Sequence, residues 1–129
     1  VIGAGGSATA IVDEADRRGA SLIIANRTLH KAQKLAAQYG ACAIELYSEL
    51  SAPVDILINT MPNTSILDDK LKKWLESILP QQPIMLDANY NQAQNPFSAL
   101  AFQFACDFIK GEEMFVNQAF AQLHFWLAS

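Results

Sequence analysis

A glycine-rich turn opens this chain and constrains its fold more than any other stretch. Val1-Ile2 is interpreted as the end of a strand, and Gly3-Ala4-Gly5-Gly6-Ser7-Ala8 follows with the spacing G-x-G-x-x-G/A. This spacing is typical of dinucleotide-binding α/β proteins. Gly3 permits a tight turn, Gly5 lets the backbone approach a pyrophosphate, and Ala8 lets the next helix pack closely on the sheet. Glycine turns that bind no ligand share this pattern, so the hexapeptide alone leaves both interpretations open.

The end of the second predicted strand indicates which cofactor the turn would serve. Ser21–Ala25 is a short apolar run that ends roughly 20 residues past the glycines, at the position that contacts the ribose in this fold. NAD sites carry Asp or Glu there, whereas this chain has Asn26 and Arg27, with Lys31 one helical turn on. Because cations attract a 2′-phosphate and an acid would repel it, the sequence predicts NADP rather than NAD. The alternative is that Arg27 and Lys31 are ordinary surface charges.

Composition limits the class of protein. With 129 residues, 51% of them apolar, the chain is long enough for one domain with a buried core, taken as residues 1–129. The net charge of −4 argues against nucleic acid or an anionic membrane as a partner. No apolar run reaches the ~20 residues that span a bilayer. Cys42 and Cys106 lie in apolar stretches and are expected to be reduced core residues of a cytoplasmic protein, with no metal-ligand spacing nearby.

Apolar runs and amphipathic segments alternate along the chain. This alternation predicts an α/β fold, a doubly wound parallel six-stranded sheet of Rossmann-like type with helices on both faces. The expected strand order is 3-2-1-4-5-6. The strands are predicted at residues 1–2, 21–25, 41–46, 54–59, 84–86 and 105–109, and the later helices at residues 68–79, 96–103 and 112–128.

Two later stretches carry functional information of their own. Asn59-Thr60-Met61-Pro62 is a polar loop at the C-terminal end of a strand, the edge at which open α/β sheets bind ligands. The last predicted helix is apolar on nearly every side, and one face of one sheet cannot cover such a helix. Part of its partner is therefore expected to lie outside this chain. A self-association surface is the alternative.

Several motifs together resemble shikimate dehydrogenases, in particular their C-terminal NADP-binding domain. The glycine turn is similar to the glycine loop of that family, and Asn26-Arg27-Thr28 with Lys31 is similar to its NRT motif and basic residue. Asn59 and Pro62 match its N-A-T-P loop, in which Thr60-Met61 replaces Ala-Thr. Other families share the first two motifs.

The more specific part of the resemblance lies in the second half of the chain. Asp87-Ala88-Asn89-Tyr90 is similar to the family's D-x-x-Y segment, with Asp87 interpreted as structural. The family's G-x-x-M-x-x-x-Q-A ending is matched by Gly111, Met114, Gln118 and Ala119. Glu112-Glu113 before the methionine is more similar to members that are fused behind a 3-dehydroquinate dehydratase.

The resemblance implies reversible, NADPH-dependent reduction of 3-dehydroshikimate to shikimate in aromatic amino-acid (chorismate) biosynthesis. It implies that Gly3–Ala8 hold the pyrophosphate, and that Asn26, Arg27, Thr28 and Lys31 hold the adenosine 2′-phosphate. Backbone around Ala88 and Gly111 would meet the nicotinamide. Further cofactor contacts would come from Thr60, Met61, Pro62 and Met114, and substrate contacts from Tyr90 and Gln118.

The resemblance also implies what this chain does not contain. The family's catalytic lysine and aspartate lie in an N-terminal substrate domain, so no catalytic residue is expected here and the chain alone is expected to be inactive. Two alternatives remain. The NADP domain of glutamyl-tRNA reductase shares Gly-Ala-Gly and Ala-Asn-Arg-Thr, and a non-catalytic, quinate-responsive regulatory module could use the same fold.

Overall fold

The computed structural model describes residues 1–62, 67–89 and 95–128, in which strands and helices alternate. The strands are β1 (Ile23–Asn26), β2 (Cys42–Glu45), β3 (Ile56–Asn59), β4 (Ile84–Asp87) and β5 (Phe108–Ile109). The helices are α1 (Gly6–Arg17), α2 (Leu29–Ala37), α3 (Asp69–Ile78), α4 (Pro96–Gln103) and α5 (Gly111–Ala128). A 3₁₀ turn, Leu79–Gln81, follows α3.

The strands are parallel and form one group of two and one group of three. β1 pairs with β2, and β4 lies between β3 and β5. Ile2 forms single parallel bridges to Ala25 of β1 and to Asn59 of β3, so it lies between the two groups. The register pairs Ile24 with Ala43, Leu57 with Met85 and Leu86 with Ile109.

The parallel α/β class is therefore confirmed, whereas the six-stranded order is not. The described residues contain five strands, because residues 1–2 contribute a single bridge residue instead of a strand. The backbone leaves the sheet at Gly3, where φ is +104°, so no ladder can continue beyond Ile2.

Apolar side chains on opposite faces of β1 belong to different parts of the core. Ile24 lies in a buried cluster with residues of α1 and α2, and Ala25 lies in another with residues of α3 and α4. Because successive residues of a strand point to opposite faces, helices cover both faces of the sheet, as predicted. The first cluster includes Ala8, Val12, Ala32, Leu35 and Ala36, and the second includes Leu71, Trp74, Leu75, Phe97 and Leu100.

Local signals set the helix boundaries. After α1 the chain reverses at Gly19, whose φ of +75° suits a residue without a Cβ. α3 begins after Asp68, whose carboxylate accepts a hydrogen bond from the N–H of Leu71 at 2.7 Å. On the outer face of α1, Asp13–Arg17 and Glu14–Arg18 form exposed ion pairs of 2.7 Å each.

Much of α5 is exposed despite its apolar composition. Phe120 is 66% exposed, Phe125 71% and Leu127 79%, so no described part of the chain covers these side chains. The sequence predicted an incompletely covered last helix, because its residues are apolar on nearly every side. Within the described ranges, no helix is both long and apolar enough to cross a membrane.

The two cysteines occupy different environments. Cys106 is half-buried, but Cys42 is exposed, and both are free thiols. The prediction of two core cysteines is wrong for Cys42. This residue begins β2, which has a described neighbouring strand on one side only, so an apolar stretch of sequence does not place it in the core.

Candidate cofactor-binding site

A cleft of about 380 Å³ lies at the carboxyl ends of β1 and β3, the edge at which the sequence predicted a ligand. It brings together the glycine turn, the residues after β1 and the loop after β3. The predicted site residues that line it are Gly3, Ala4, Gly5, Asn26, Arg27, Thr28, Lys31, Thr60, Met61 and Pro62. Asp68 and Leu71 complete the lining.

Gly3 is required by both the conformation and the packing of the turn. Its φ of +104° is unfavourable for other residues, and a Cβ there would collide with the hydroxyl of Thr60. That hydroxyl donates to the carbonyl oxygen of Ile2 at 2.8 Å. The glycine turn is therefore held against the loop after β3, and the tight turn expected at Gly3 is confirmed.

Gly5 and Gly6 differ from Gly3 because the space beside them is open. Within the described structure, and leaving out their chain neighbours and the nearby backbone of α1, no heavy atom lies within 4 Å of a Cβ built on either residue. Gly5 is the N-cap of α1, no side chain caps this helix, and its first turn contains no acidic residue. The first N–H groups of a helix lack partners within the helix and attract anions. The glycines thus leave the positive end of α1 accessible to a phosphate.

Two cations line the cleft beyond this helix end. The side-chain amide of Asn26 donates to the carbonyl oxygen of Thr28 at 3.0 Å and shapes the turn that presents them. Arg27 and Lys31 are both exposed. The Arg27 guanidinium lies 3.6 Å from the carboxylate of Asp68, and both side chains are more than half exposed, so this ion pair is weak.

Asp68 was not predicted as part of the site. Its sequence signal was that of a helix start, which the structure bears out. Its second role, as an acid in the cleft beside Arg27, depends on how α3 packs against the end of β1. Neither segment encodes that packing locally, so sequence patterns could not reveal it.

Arg27 also lines a neighbouring hollow of about 390 Å³ that the sequence analysis missed. The Lys70 ammonium lies 4.5 Å from the centre of the Tyr47 ring, over its face. Two cations and an aromatic ring therefore line this hollow. Its parts come from the ends of β1 and β2 and the start of α3, which are distant in sequence.

A buried hydrogen-bonded network supports one wall of the cleft. Asn59 and Asp87 end β3 and β4, are 1% and 0% exposed, and are joined by a hydrogen bond of 3.0 Å. The Asn59 side-chain oxygen accepts from the N–H of Met61 at 3.2 Å. The Asn89 amide donates to the carbonyl oxygen of Met61 at 2.7 Å. Both polar groups of the Met61 backbone are thereby fixed in the wall of the cleft.

The other predicted site residues do not line the cleft. Ala8 is fully buried, consistent with close packing of α1 on the sheet, and Gly111 is buried against the backbone of Asn89 and Asp87. Gly6, Ser7 and Gln118 are exposed, and Ala88 and Met114 are half-buried. Tyr90 lies outside the described residues. In the described ranges, no group of three His, Cys, Asp or Glu residues could hold a metal ion.

The parallel fold, the glycine turn at the start of α1 and the cations after β1 define an α/β domain of the dinucleotide-binding class. Residues 1–89 match the family described as Shikimate / quinate 5-dehydrogenase, and the chain belongs to this family. The resemblance stated from the motifs is therefore confirmed. The relatives that match over 98% of the chain are named as shikimate enzymes, which argues against the glutamyl-tRNA reductase alternative.

Two relatives agree with this assignment. The chain is 32% identical over 126 residues to the shikimate biosynthesis protein AroDE of Chlamydia muridarum, a match covering 98% of the chain and 24% of the relative. It is 30% identical over 128 residues to a shikimate dehydrogenase (NADP(+)) of Legionella pneumophila, covering 98% and 48%.

The solved structure of dehydroquinate dehydratase and shikimate dehydrogenase from S. pombe AroM shares the fold. Its TM-score is 0.81 at 23% identity, over 97% of this chain and 26% of that chain. The chain thus spans about half, or less, of the length of these proteins.

Proposed function

We propose that this chain is the NADP-binding domain of a shikimate dehydrogenase, which reduces 3-dehydroshikimate to shikimate with NADPH in aromatic amino-acid biosynthesis. The observation that carries the proposal is the cleft. It combines the open N-terminus of α1 at Gly5 with two cations, Arg27 and Lys31. The Legionella relative is named as an NADP(+) enzyme, which supports the choice of cofactor.

Each half of the cofactor would use a different part of the site. The pyrophosphate would lie on Gly3–Ala8, where helix N–H groups are available. The 2′-phosphate would lie on Asn26–Thr28 and Lys31, and Arg27 can bind it through two parallel hydrogen bonds. The exposed pair of Arg27 with Asp68 is weak enough for a phosphate to replace it.

The nicotinamide and the substrate would lie beyond the other end of the cleft. NADPH, when bound, supplies the hydride for reduction of the substrate carbonyl. We assign the nicotinamide contacts to the segments around Ala88, Gly111 and Met114, and the substrate contacts to Tyr90 and Gln118. Ala88 directly follows β4 and Gly111 begins α5, so both lie where parallel strands end and helices begin.

The acid and base of the reaction would come from a substrate domain outside this chain, N-terminal to it in the same protein. The length of the relatives and the exposed face of α5 support such a domain.

We also propose that residues 1–2 end the first of six strands in the order 3-2-1-4-5-6, because Ile2 bridges strands on both sides. The cytoplasm is the proposed location, and the exposed free thiol of Cys42 is compatible with its reducing environment.

A fusion to a 3-dehydroquinate dehydratase is the further domain arrangement that we propose. The Gly111-Glu112-Glu113-Met114 sequence supports it, as does the similar fold of S. pombe AroM, a structure of dehydroquinate dehydratase and shikimate dehydrogenase together. A quinate-responsive regulatory module is the second candidate, because the family description includes quinate. Assays of the full-length protein with shikimate and with quinate separate an enzyme from such a module.

The decisive test of the cofactor assignment is calorimetric titration with NADPH and NADH at low salt. We expect NADPH to bind at least about tenfold more tightly, since the 2′-phosphate gains charge-assisted hydrogen bonds. Arg27→Ala is expected to erase most of this preference. Arg17→Ala removes the same charge from an exposed site on α1 and should leave the preference intact. Equal affinities for the two nucleotides in the unaltered protein would refute the assignment.

A further inference from the structure

The buried carboxylate of Asp87 accepts hydrogen bonds from three asparagines. Its Oδ1 accepts from the Asn59 amide at 3.0 Å, from the Asn89 N–H at 3.1 Å and from the Asn89 amide at 2.7 Å. Its Oδ2 accepts from the Asn95 amide at 2.8 Å. Every described donor is an N–H group on asparagine, and the carboxylate is fully buried. A buried carboxylate whose oxygens all accept hydrogen bonds fixes the position of each donor side chain.

The orientation of Asn59 is fixed by this arrangement. Its side-chain oxygen is engaged by the N–H of Met61, so its amide nitrogen has to face Asp87. Asn89 is oriented similarly, since its amide nitrogen reaches both Asp87 and the carbonyl oxygen of Met61. Asp87 therefore holds, through two asparagines, a backbone segment that lines the cleft.

Asp87 contacts two further elements, α4 through its carboxylate and α5 through its backbone. Asn95 uses its amide on Asp87 and its side-chain oxygen on the N–H groups of Phe97 and Ser98, which caps α4. The start of α5 packs against the same place, because a Cβ on Gly111 would stand 2.8 Å from the carbonyl oxygen of Asp87. The loop after β3, the segment after β4 and α4 thus meet at one carboxylate, and α5 begins against the backbone of the same residue.

We propose that Asp87 is a positioning residue for the nicotinamide half of the cofactor. This inference rests on the proposed function. Asp87 directly precedes Ala88, and its backbone carbonyl lies against Gly111, the two positions assigned above to the nicotinamide. Its carboxylate has no described hydrogen bond to Asn26–Thr28 or Lys31. There, the turn that carries Arg27 is held by its own bond from Asn26 to Thr28. A change at Asp87 should therefore weaken contacts to one half of the cofactor and spare the other.

The test compares NADPH with adenosine 2′,5′-bisphosphate, which carries the 2′-phosphate but no nicotinamide, by calorimetry on the full-length protein. Asp87→Asn replaces one acceptor oxygen by a donor that faces the Asn95 amide. We expect about tenfold weaker NADPH binding, about 1.4 kcal/mol, with unchanged binding of the bisphosphate. Arg27→Ala is the control, and it should weaken the binding of both ligands because both carry the 2′-phosphate.

Rescue distinguishes positioning from a general loss of structure. In the double variant Asp87→Asn with Asn95→Asp, the donor and acceptor exchange places while the charge and the cap of α4 are kept. We expect NADPH affinity to recover most of the loss. If Asp87→Asn does not fold, Asn89→Ala should still weaken NADPH by about threefold and spare the bisphosphate, since one of the two asparagine links is lost.

The outcomes separate the two proposals. If Asp87→Asn or Asn89→Ala weakens the binding of both ligands equally, or of neither, the positioning role is overturned and the proposed function is left intact. Failure of the double variant to recover NADPH binding also overturns the positioning role. An unaltered protein that binds neither ligand overturns the proposed function and, with it, this inference.

Discussion

At the scale of single residues, the glycines of the turn have separable roles. Gly3→Ala is expected to lower the free energy of unfolding by at least about 2 kcal/mol, because the residue has positive φ and no room for a Cβ. Gly6→Ala, in the open first turn of α1, should leave it unchanged or raise it by up to about 1 kcal/mol. Urea denaturation measures both. A similar loss in the two variants would contradict this reading of the turn.

The two thiols should also differ in reactivity. Burial, and then the charge of Asp107, raise the pKa of the Cys106 thiol, so less reactive thiolate is present near neutral pH. Cys42 is exposed. We expect alkylation by iodoacetamide to modify Cys42 at least about tenfold faster, as followed by peptide mass spectrometry. Unfolding in urea should bring the rates together, and faster labelling of Cys106 in the folded protein would be inconsistent with its half-buried position.

At the scale of elements, short-range patterns predicted well wherever the neighbouring sequence determines the outcome. The inward face of α3, with Leu71, Trp74 and Leu75, follows from helical spacing, and all three residues are buried as expected. β5 is shorter than its apolar run suggested. Ala105 has a φ of +56°, which breaks the extended backbone, and the strand covers Phe108–Ile109 only. No pattern of residue types in this stretch predicts a positive φ at Ala105.

The site, like the helices and strands, was predictable from sequence only where local motifs determine it. The glycine turn and the cations after β1 are local motifs, and both line the cleft. The position of Asp68 in the cleft and the contacts of several elements with Asp87 depend on packing between elements that are distant in sequence. Family resemblance suggested Asp87 as structural, but its set of asparagine donors becomes visible only when β3 and β4 lie side by side.

Asp68 joins a helix and the site, so its substitutions should separate the two roles. Asp68→Asn keeps an N-cap for α3 but removes a negative charge beside Arg27, and we expect NADPH to bind about threefold more tightly at low salt. Asp68→Ala should also lose about 1 kcal/mol of stability through the missing cap. Asp69→Asn is the control, because it removes one negative charge from the neighbouring residue. If it tightens binding as much as Asp68→Asn, the effect is not local to the ion pair.

At the scale of the whole molecule, the 129-residue chain should bind nucleotide without performing the reaction. The proposed catalytic acid and base lie outside it, and binding alone cannot move a proton at the substrate. We expect no reduction of NADP by shikimate with this chain and clear activity with the full-length protein, followed by NADPH absorbance. Turnover by the short chain would place catalytic groups within it.

The exposed stripe of α5 should reveal what covers it. Val116, Phe120, Leu123 and Leu127 are spaced four, three and four residues apart, the spacing with which one helix packs against another. Phe120 is 66% exposed in this chain, so Phe120→Ser should change its stability little. In the full-length protein the same change should cost about 3 kcal/mol, because the ring would be buried against the second domain.

Phe102→Ser provides the matched control for this comparison. Phe102 is 90% exposed on α4, lies off the stripe, and should have little effect in either protein. Urea denaturation of the two variants in the two lengths of protein gives four values, and only Phe120→Ser in the full-length protein should be large. If Phe120→Ser instead changes the short chain's sedimentation from dimer to monomer, α5 is a self-association surface. Its apolar residues then meet a second copy of the chain and not a second domain.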